Sequence, residues 1–265
     1  MWYSSRKSGT SPEIMMPRRT LILAALCTAC LLAIPATHAA QDMTRPERPS
    51  LINGISIPDI PGSPFSATVV LESEQIWPDG SSEIRRTINL IARDSLGRTH
   101  NETRRLMPQY FHGSPELMSV RLFDPLTRIR TVYDPALHIA RQQFVPKKPK
   151  SPTTPDPSLH VEDLGITTLN RLLTKGTRRT RTIPDYESGT GEAVKIEDET
   201  WYSEELHLDL LIRHSDSRAG VETVGVSNLK RIEPPASMFQ VPQGYRILDI
   251  TPPKAPAASP LVPRP

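Results

Sequence analysis

The chain has 265 residues, 28 of them proline, 5% aromatic, and a formal net charge of +3. Taking Arg6, Lys7, Arg18, Arg19 and Glu13 of the first forty residues away from the 32 basic and 29 acidic side chains leaves 28 of each. A balanced remainder gives no global electrostatic case for nucleic acid or an anionic membrane surface, and the low aromatic content argues against a stacking surface for sugars or single strands.

The first segment fixes the expected compartment. Arg18-Arg19 precede an apolar run, Leu21–Ile34, which ends at Pro35-Ala36-Thr37-His38-Ala39-Ala40 with Thr37 and Ala39 at the −3 and −1 positions. A basic region, an apolar region and a small-residue exit make a secretory signal peptide over 1–40, cleaved near Ala39/Ala40. The run falls short of the roughly 20 apolar residues of a spanning helix, and Pro35 interrupts it. Cys27 and Cys30 lie inside it, so the mature chain has no thiol. Lipidation at Cys30 is disfavoured by Cys27-Thr28-Ala29, which lacks the usual leucine, and the two arginines suit an ordinary signal as well as a twin-arginine one. Met15 or Met16 as the start would give a basic region of ordinary length. The expectation is an exported protein, periplasmic or extracellular, with no transmembrane segment in the mature chain.

Residues 41–63 read as an irregular arm rich in Pro, Gly and Asp. From Phe65 the pattern has period two: Phe65, Ala67, Val69 and Leu71 face one way, Ser66, Thr68 and Glu72 the other. Trp77-Pro78-Asp79-Gly80 supplies a turn, and the return strand sets Ile84, Ile88, Leu90 and Ala92 against Glu83, Arg85, Thr87 and Asn89. Asp94-Ser95-Leu96-Gly97 turns again into the polar stretch Arg98–Leu106. Met118, Val120 and Leu122 mark a strand ending at Asp124-Pro125. Asp134-Pro135 repeats that dipeptide ten residues on, bracketing Arg128–Tyr133, and His138–Phe144 completes a meander.

Val145–Pro157 carries five prolines and three lysines, an extended segment that cannot join a ladder. Glu162–Leu173 is the one helical candidate of the mature chain, weakened by Gly165 and two threonines. Strands are expected at Leu172–Ile183, Val194–Tyr202, Leu206–His214 and Val221–Lys230. Pro234-Pro235 breaks the pattern before Met238–Pro242, Gly244-Tyr245 and Ile247–Ile250. The six prolines of 252–265 make a disordered tail. The expected organisation is one antiparallel β domain over 64–250 with an insertion at 145–157. Its fold class is mainly β (β-rich α+β), a curved antiparallel sheet or half-open barrel with few short helices.

Reactive constellations are sparse. His100, His112, His138, His160, His207 and His214 form no His-x-His or His-x3-His pair, and His207 with Asp209 offers two metal ligands on one strand face where zinc takes three or four. Glu197-Asp198-Glu199 with Glu204-Glu205 lacks the glycine-punctuated spacing of a calcium loop, and its neighbours point to opposite faces. Arg85-Arg86, Arg104-Arg105 and Arg178-Arg179-Thr180-Arg181 fit a salt-bridged outer sheet surface. Asn101-Glu102-Thr103 is a glycosylation sequon. There is no Gly-x-Ser-x-Gly. No catalytic residue, metal ligand or cofactor is assigned.

Glu199-Thr200-Trp201-Tyr202-Ser203-Glu204-Glu205-Leu206, a second strand reaching Asn228-Leu229-Lys230-Arg231, and Met238-Phe239-Gln240-Val241-Pro242-Gln243-Gly244-Tyr245 resemble the ending of exported bacterial β proteins related to the periplasmic lipoprotein-carrier (LolA/LolB-like) superfamily. Pro64-Phe65-Ser66-Ala67, Asp79-Gly80 and Arg93-Asp94-Ser95-x-Gly97-Arg98 resemble uncharacterised secreted proteins with the same ending. The resemblance implies a half-open barrel whose apolar face holds a helix or acyl chains, though the carriers are shorter and no residue of theirs that handles lipoprotein maps onto this chain. An uncovered apolar face invites a hydrophobic ligand. The resulting expectation is a non-enzymatic binding protein for a lipid or other hydrophobic ligand, with Val69, Leu71, Ile88, Leu90, Leu208 and Leu210 as ligand-facing positions; each also suits an ordinary sealed core. The alternatives are an envelope structural or sensory module that binds a protein partner, and an exported hydrolase.

Overall fold

The computed structural model describes residues 54–77, 79–147 and 158–253. The expected signal segment, most of the proline-rich insertion and nearly all of the C-terminal tail lie outside the described residues. One curved, unclosed, mostly antiparallel sheet of thirteen strands makes up the fold. The strands are β1 (Phe65–Ile76), β2 (Ser82–Arg93), β3 (Thr99–Arg104), β4 (Met107–Pro108), β5 (Leu117–Asp124), β6 (Ile129–Asp134), β7 (Ile139–Phe144), β8 (Leu159–Leu169), β9 (Leu172–Ile183), β10 (Val194–Ser203), β11 (Leu208–Asp216), β12 (Gly220–Lys230) and β13 (Arg246–Asp249). Across the sheet they run β13-β7-β6-β5-β3-β2-β1-β12-β11-β10-β9-β8, with β4 beside β2. Two meanders, β1 to β7 and β8 to β12, therefore meet along β1 and β12. The only helical pieces among the described residues are the four-residue α1 (Asp185–Ser188) and a 3₁₀ turn at Ala236–Phe239.

The turns follow from local chemistry. Asp124 Oδ1 accepts from the backbone N–H of Leu126 and Thr127, and Asp134 Oδ1 from those of Ala136 and Leu137. Each turn ends in a left-handed residue, Arg128 (φ 61°) and His138 (φ 51°), which returns the chain to its strand. His207 (φ 50°) closes the β10–β11 turn in the same way.

The helix expected over Glu162–Leu173 does not form. The segment is split between β8 and β9, joined at Asn170 (φ 50°) and Arg171 (φ 64°). Two consecutive left-handed residues make a tight turn whose twist matches antiparallel strands. Asn170 Nδ2 donates to Val226 O at 2.8 Å, and Thr174 Oγ1 to Thr167 O at 3.0 Å. Thr167, one of the residues that weaken a helix, thus accepts through its backbone carbonyl a bond that supports the hairpin.

The larger core gathers Phe65, Ala67, Val69 and Leu71 of β1 with Ile91, Leu172, Leu208, Leu210, Val224 and Val226. On β2 the polar set faces the larger core over Glu83–Asn89, while Ala92 of the apolar set is buried as well. The register of β2 with β1 sets Ala67 opposite Ile91, Val69 opposite Asn89, Leu71 opposite Thr87 and Ser73 opposite Arg85, and directly opposed residues share a face. Glu83, Arg85, Thr87 and Asn89 are therefore buried, while Ile88 is exposed. Inside, Arg85 Nε bonds Glu83 Oε1 at 2.9 Å, and Asn89 Oδ1 accepts from Arg104 N–H at 2.8 Å.

A second core joins Val120, Leu122, Tyr133 and Ala140, covered by Leu117, Val241 and Tyr245. The closing segment supplies this cover. His100 Nδ1 lies 2.7 Å from Met238 O, Tyr245 meets the Tyr133 ring edge-on at 5.1 Å between centroids, and β13 then pairs parallel with β7.

Arg93 fastens the N-terminal arm to the sheet. It is 0% exposed and donates to three carbonyls: Ser63 O (3.1 and 2.9 Å), Pro58 O (3.1 Å) and Leu206 O (2.8 Å). Its guanidinium lies 5.1 Å above the Phe65 ring. Burial pushes its pKa down, with Tyr202 a smaller opposing influence.

Candidate ligand-binding site

The structure divides the six apolar candidates. Val69 (1% exposed), Leu71 (5%), Leu208 (1%) and Leu210 (1%) are packed within the larger core. Ile88 is 42% exposed and Leu90 is half-buried; both belong to the opposite face of β2. They line an open pocket of 370 Å³ together with Thr68, Glu102, Arg104 and Pro115.

From that pocket an apolar row crosses the sheet in register. Ile88 stands opposite Val70, Val70 opposite Gly225, Gly225 opposite Leu211, Leu211 opposite Trp201, and Trp201 opposite Gly176. Directly opposed residues share a face, so these six make one stripe, about 24 Å long from β2 to β9 at the usual strand spacing. Val70, Leu211 and Trp201 are half-buried. Two glycines keep its floor low. A Cβ on Gly176 would stand 2.7 Å from the Trp201 ring and 2.8 Å from Leu164 Cβ, and one on Gly225 would reach Leu211 Cδ1 at 3.6 Å.

A charged row runs alongside, one step along the strands. Arg86 opposes Glu72, Arg213 opposes Glu199, and Arg178 stands between Glu199 and Glu162. Arg178 bonds Glu199 at 3.0 Å and Glu162 at 3.2 Å. Trp201 Nε1 donates to Glu199 Oε1 at 2.8 Å, fixing the indole edge toward the charged row. That bond, followed by the Arg178 contact, holds the Glu199 carboxyl below its usual range against an opposing effect of burial. The arrangement offers an apolar track with a polar margin and carries no nucleophile–base pair.

The other sequence candidates disperse. His207 lies in its turn with Nδ1 3.3 Å from the Tyr202 hydroxyl. Asp209, whose carboxyl burial raises against the smaller influence of Arg179, lines a different pocket with Lys175 and Arg179. His214 Nδ1 lies 2.6 Å from Asp198 Oδ1. Among the described residues no three His, Cys, Asp or Glu side chains gather as metal ligands. Of the acidic cluster, Glu197 pairs with Lys195, Glu199 with Arg178 and Glu205 with Arg231. The sequon residue Asn101 uses its amide to hold Ile55 O at 3.2 Å. Among the described residues no helix is long and apolar enough to cross a membrane. Sequence reasoning did not single out Val70, Leu211, Trp201 or the glycines as ligand positions; Trp201 between glutamates, with glycines on neighbouring strands, was the available signal.

No family model and no curated protein matches the chain. Solved structures similar to it include an uncharacterized conserved protein from Thermus thermophilus, 12% identical over 71% of this chain and 90% of that one, with a TM-score of 0.38. The Pseudomonas aeruginosa MucA/MucB complex is 13% identical over 70% of this chain, which spans only 58% of the matched one, with a TM-score of 0.39. A LolA superfamily protein from Nitrosomonas europaea is 12% identical over 68% and 91% of the two chains, with a TM-score of 0.28. The lipoprotein-carrier superfamily, which the closing motifs resemble, is thus represented among the solved structures similar to this chain.

Proposed function

We propose that this is an exported, non-enzymatic binding protein that holds a lipid or other hydrophobic ligand against its curved sheet. The observation that carries the reading is the register-built apolar row from Ile88 through Val70 and Leu211 to Trp201, beginning at an open pocket and bordered by charge. An acyl chain laid along it gains up to about 0.8 kcal/mol for each methylene removed from water. Export rests on the signal-like segment 1–40.

The test is native mass spectrometry, with organic extraction, of residues 41–265 purified from their own envelope. An apolar molecule at near one-to-one ratio is expected. In Trp77→Phe protein, where Trp201 is the sole tryptophan of that chain, titration with palmitoyl lysophosphatidylcholine should shift the Trp201 emission to the blue. Empty protein together with unchanged emission overturns the proposal.

A second reading, a module that binds a protein partner, is favoured by β8. This eleven-residue strand ends the sheet and is exposed along both faces, and such edges accept an added strand. A single stoichiometric partner in a pull-down, lost when β8 carries a proline at a position whose N–H points away from β9, would support it.

A further inference from the structure

Elsewhere on the sheet, away from the apolar row, three arginines gather around a single carboxylate, Asp59. On β5 and β6 one face carries Arg121 and Arg130, at diagonal positions of the ladder, a separation of about 7–8 Å between backbones. The β5–β6 turn adds Arg128, whose guanidinium lies 5.0 Å above the Phe123 ring, with its Nε on Val145 O. All three line an open pocket of 490 Å³ whose far wall is the arm residues Ile55 and Ile57. The arm is held there by the Asn101 bond to Ile55 O. Asp59 is the one carboxylate in the lining, and it reaches Arg128 at 3.4 Å.

This contrasts with the charged row described above, where Arg86, Arg213 and Arg178 each stand opposite glutamate. In the ladder, Arg121 faces Asn101 and Val132, and Arg130 faces Phe123 and Gln143. Asp134, diagonal to Arg121, is engaged by the backbone of its own turn. Among the described residues neither Arg121 nor Arg130 has an ion-pair partner. With Arg128 paired to Asp59, the solvent-exposed Arg121 and Arg130 are left as neighbouring like charges without an acid, and guanidinium forks match the geometry of oxyanions.

We propose that this pocket binds a phosphate-type oxyanion carried on an apolar body, an anionic amphiphile, with Arg121 and Arg130 as the two free forks, Arg128 as the fixed one, and the half-buried Ile57 and Phe123 against the body. The site is separate from the apolar row and stands or falls independently of it.

The experiment is isothermal titration of the mature chain with dodecyl phosphate, inorganic phosphate and dodecyl maltoside. The expected result is one-to-one binding of dodecyl phosphate, weakened by salt and by about tenfold or more in Arg121→Gln and in Arg130→Gln. Arg86→Gln/Arg213→Gln, which removes charge from the other face, should bind as the parent does. Saturation by inorganic phosphate with the same sensitivity to Arg121 and Arg130 supports the oxyanion site and names a free anion as occupant, whereas dodecyl phosphate binding alone names the amphiphile. No binding of either phosphate, binding indifferent to Arg121→Gln and Arg130→Gln, or equal binding of dodecyl maltoside overturns the proposal.

Discussion

Replacing Arg93 with methionine keeps an unbranched apolar stem, shorter by the guanidinium head, and removes every donor. Four hydrogen bonds to Pro58, Ser63 and Leu206 carbonyls disappear. At about 1–2 kcal/mol for each of three orphaned acceptors the loss is about 3–6 kcal/mol. The variant no longer has to bury a cation with no acid beside it, which draws the expected net cost to the lower end, about 3 kcal/mol. Urea denaturation followed by far-ultraviolet circular dichroism gives this directly. Pro58 and Ser63 belong to the arm, so limited proteolysis within residues 54–63 should accelerate at urea concentrations where the sheet is intact. Lysine at the same position has one compact head and cannot serve all three carbonyls, so Arg93→Lys should keep only part of the stability. If Arg93→Met costs less than about 1 kcal/mol, or leaves arm proteolysis unchanged, the fastening role is wrong.

Glu102 gives a pH signature. Burial works against its ionisation, but His100 at 3.8 Å and Arg104 at 2.8 Å outweigh burial and hold its pKa below the ordinary value. A folded pKa below the unfolded one contributes stability that is complete above the ordinary carboxylate range and is lost as pH falls through the lower, folded value. Glu102→Gln should therefore flatten the fall in urea midpoint between about pH 5 and pH 3, and parallel curves for the two proteins would refute this. Gly220 has φ 115°, and a Cβ there would fall on Glu74 O; Gly220→Ala should cost about 2 kcal/mol or more in thermal and urea unfolding. Asn170→Ala should cost about 1–2 kcal/mol in urea unfolding through the left-handed backbone and the lost bond to Val226, whereas Asn170→Gly should recover the backbone part.

Much of the strand content was readable because alternation in a strand needs no partner to be visible. Phe65–Leu71 and Leu172–Ile183 were placed from their own residues. What alternation does not tell is which face is covered. On β2 both sets alternate, and the choice is made by register with β1, which buries Arg85 and Asn89 and exposes Ile88. The β8–β9 hairpin was hidden because its turn uses Asn170-Arg171 rather than a glycine pair, leaving Leu164, Thr168 and Leu172 at helical spacing. The parallel pairing of β13 with β7 depends on a contact across more than a hundred residues, and nothing local announces it. The candidate site was only partly legible. Ile88 and Leu90 belong to a strand whose apolar face could be read, but the row to Trp201 takes one residue from each of several strands. The arginines of the 490 Å³ pocket become neighbours only when β5 pairs with β6 and the arm closes over them.

The place of β1 in the sheet also sets the order in which the protein can be assembled. Its two neighbours are β2, which follows within a few residues, and β12, whose Glu222 bonds Ser73 across 149 positions of sequence. A chain emerging from its N-terminal end can close the β1–β2 hairpin and the meander to β7 early, but one long edge of β1 stays unpaired until residue 230 is free. Its alternating Val and Leu side chains are then a sticky template at the centre of the nascent protein. Refolding from urea should accordingly be slow for its size, and a version cut after β7 should aggregate rather than persist as a half-sheet.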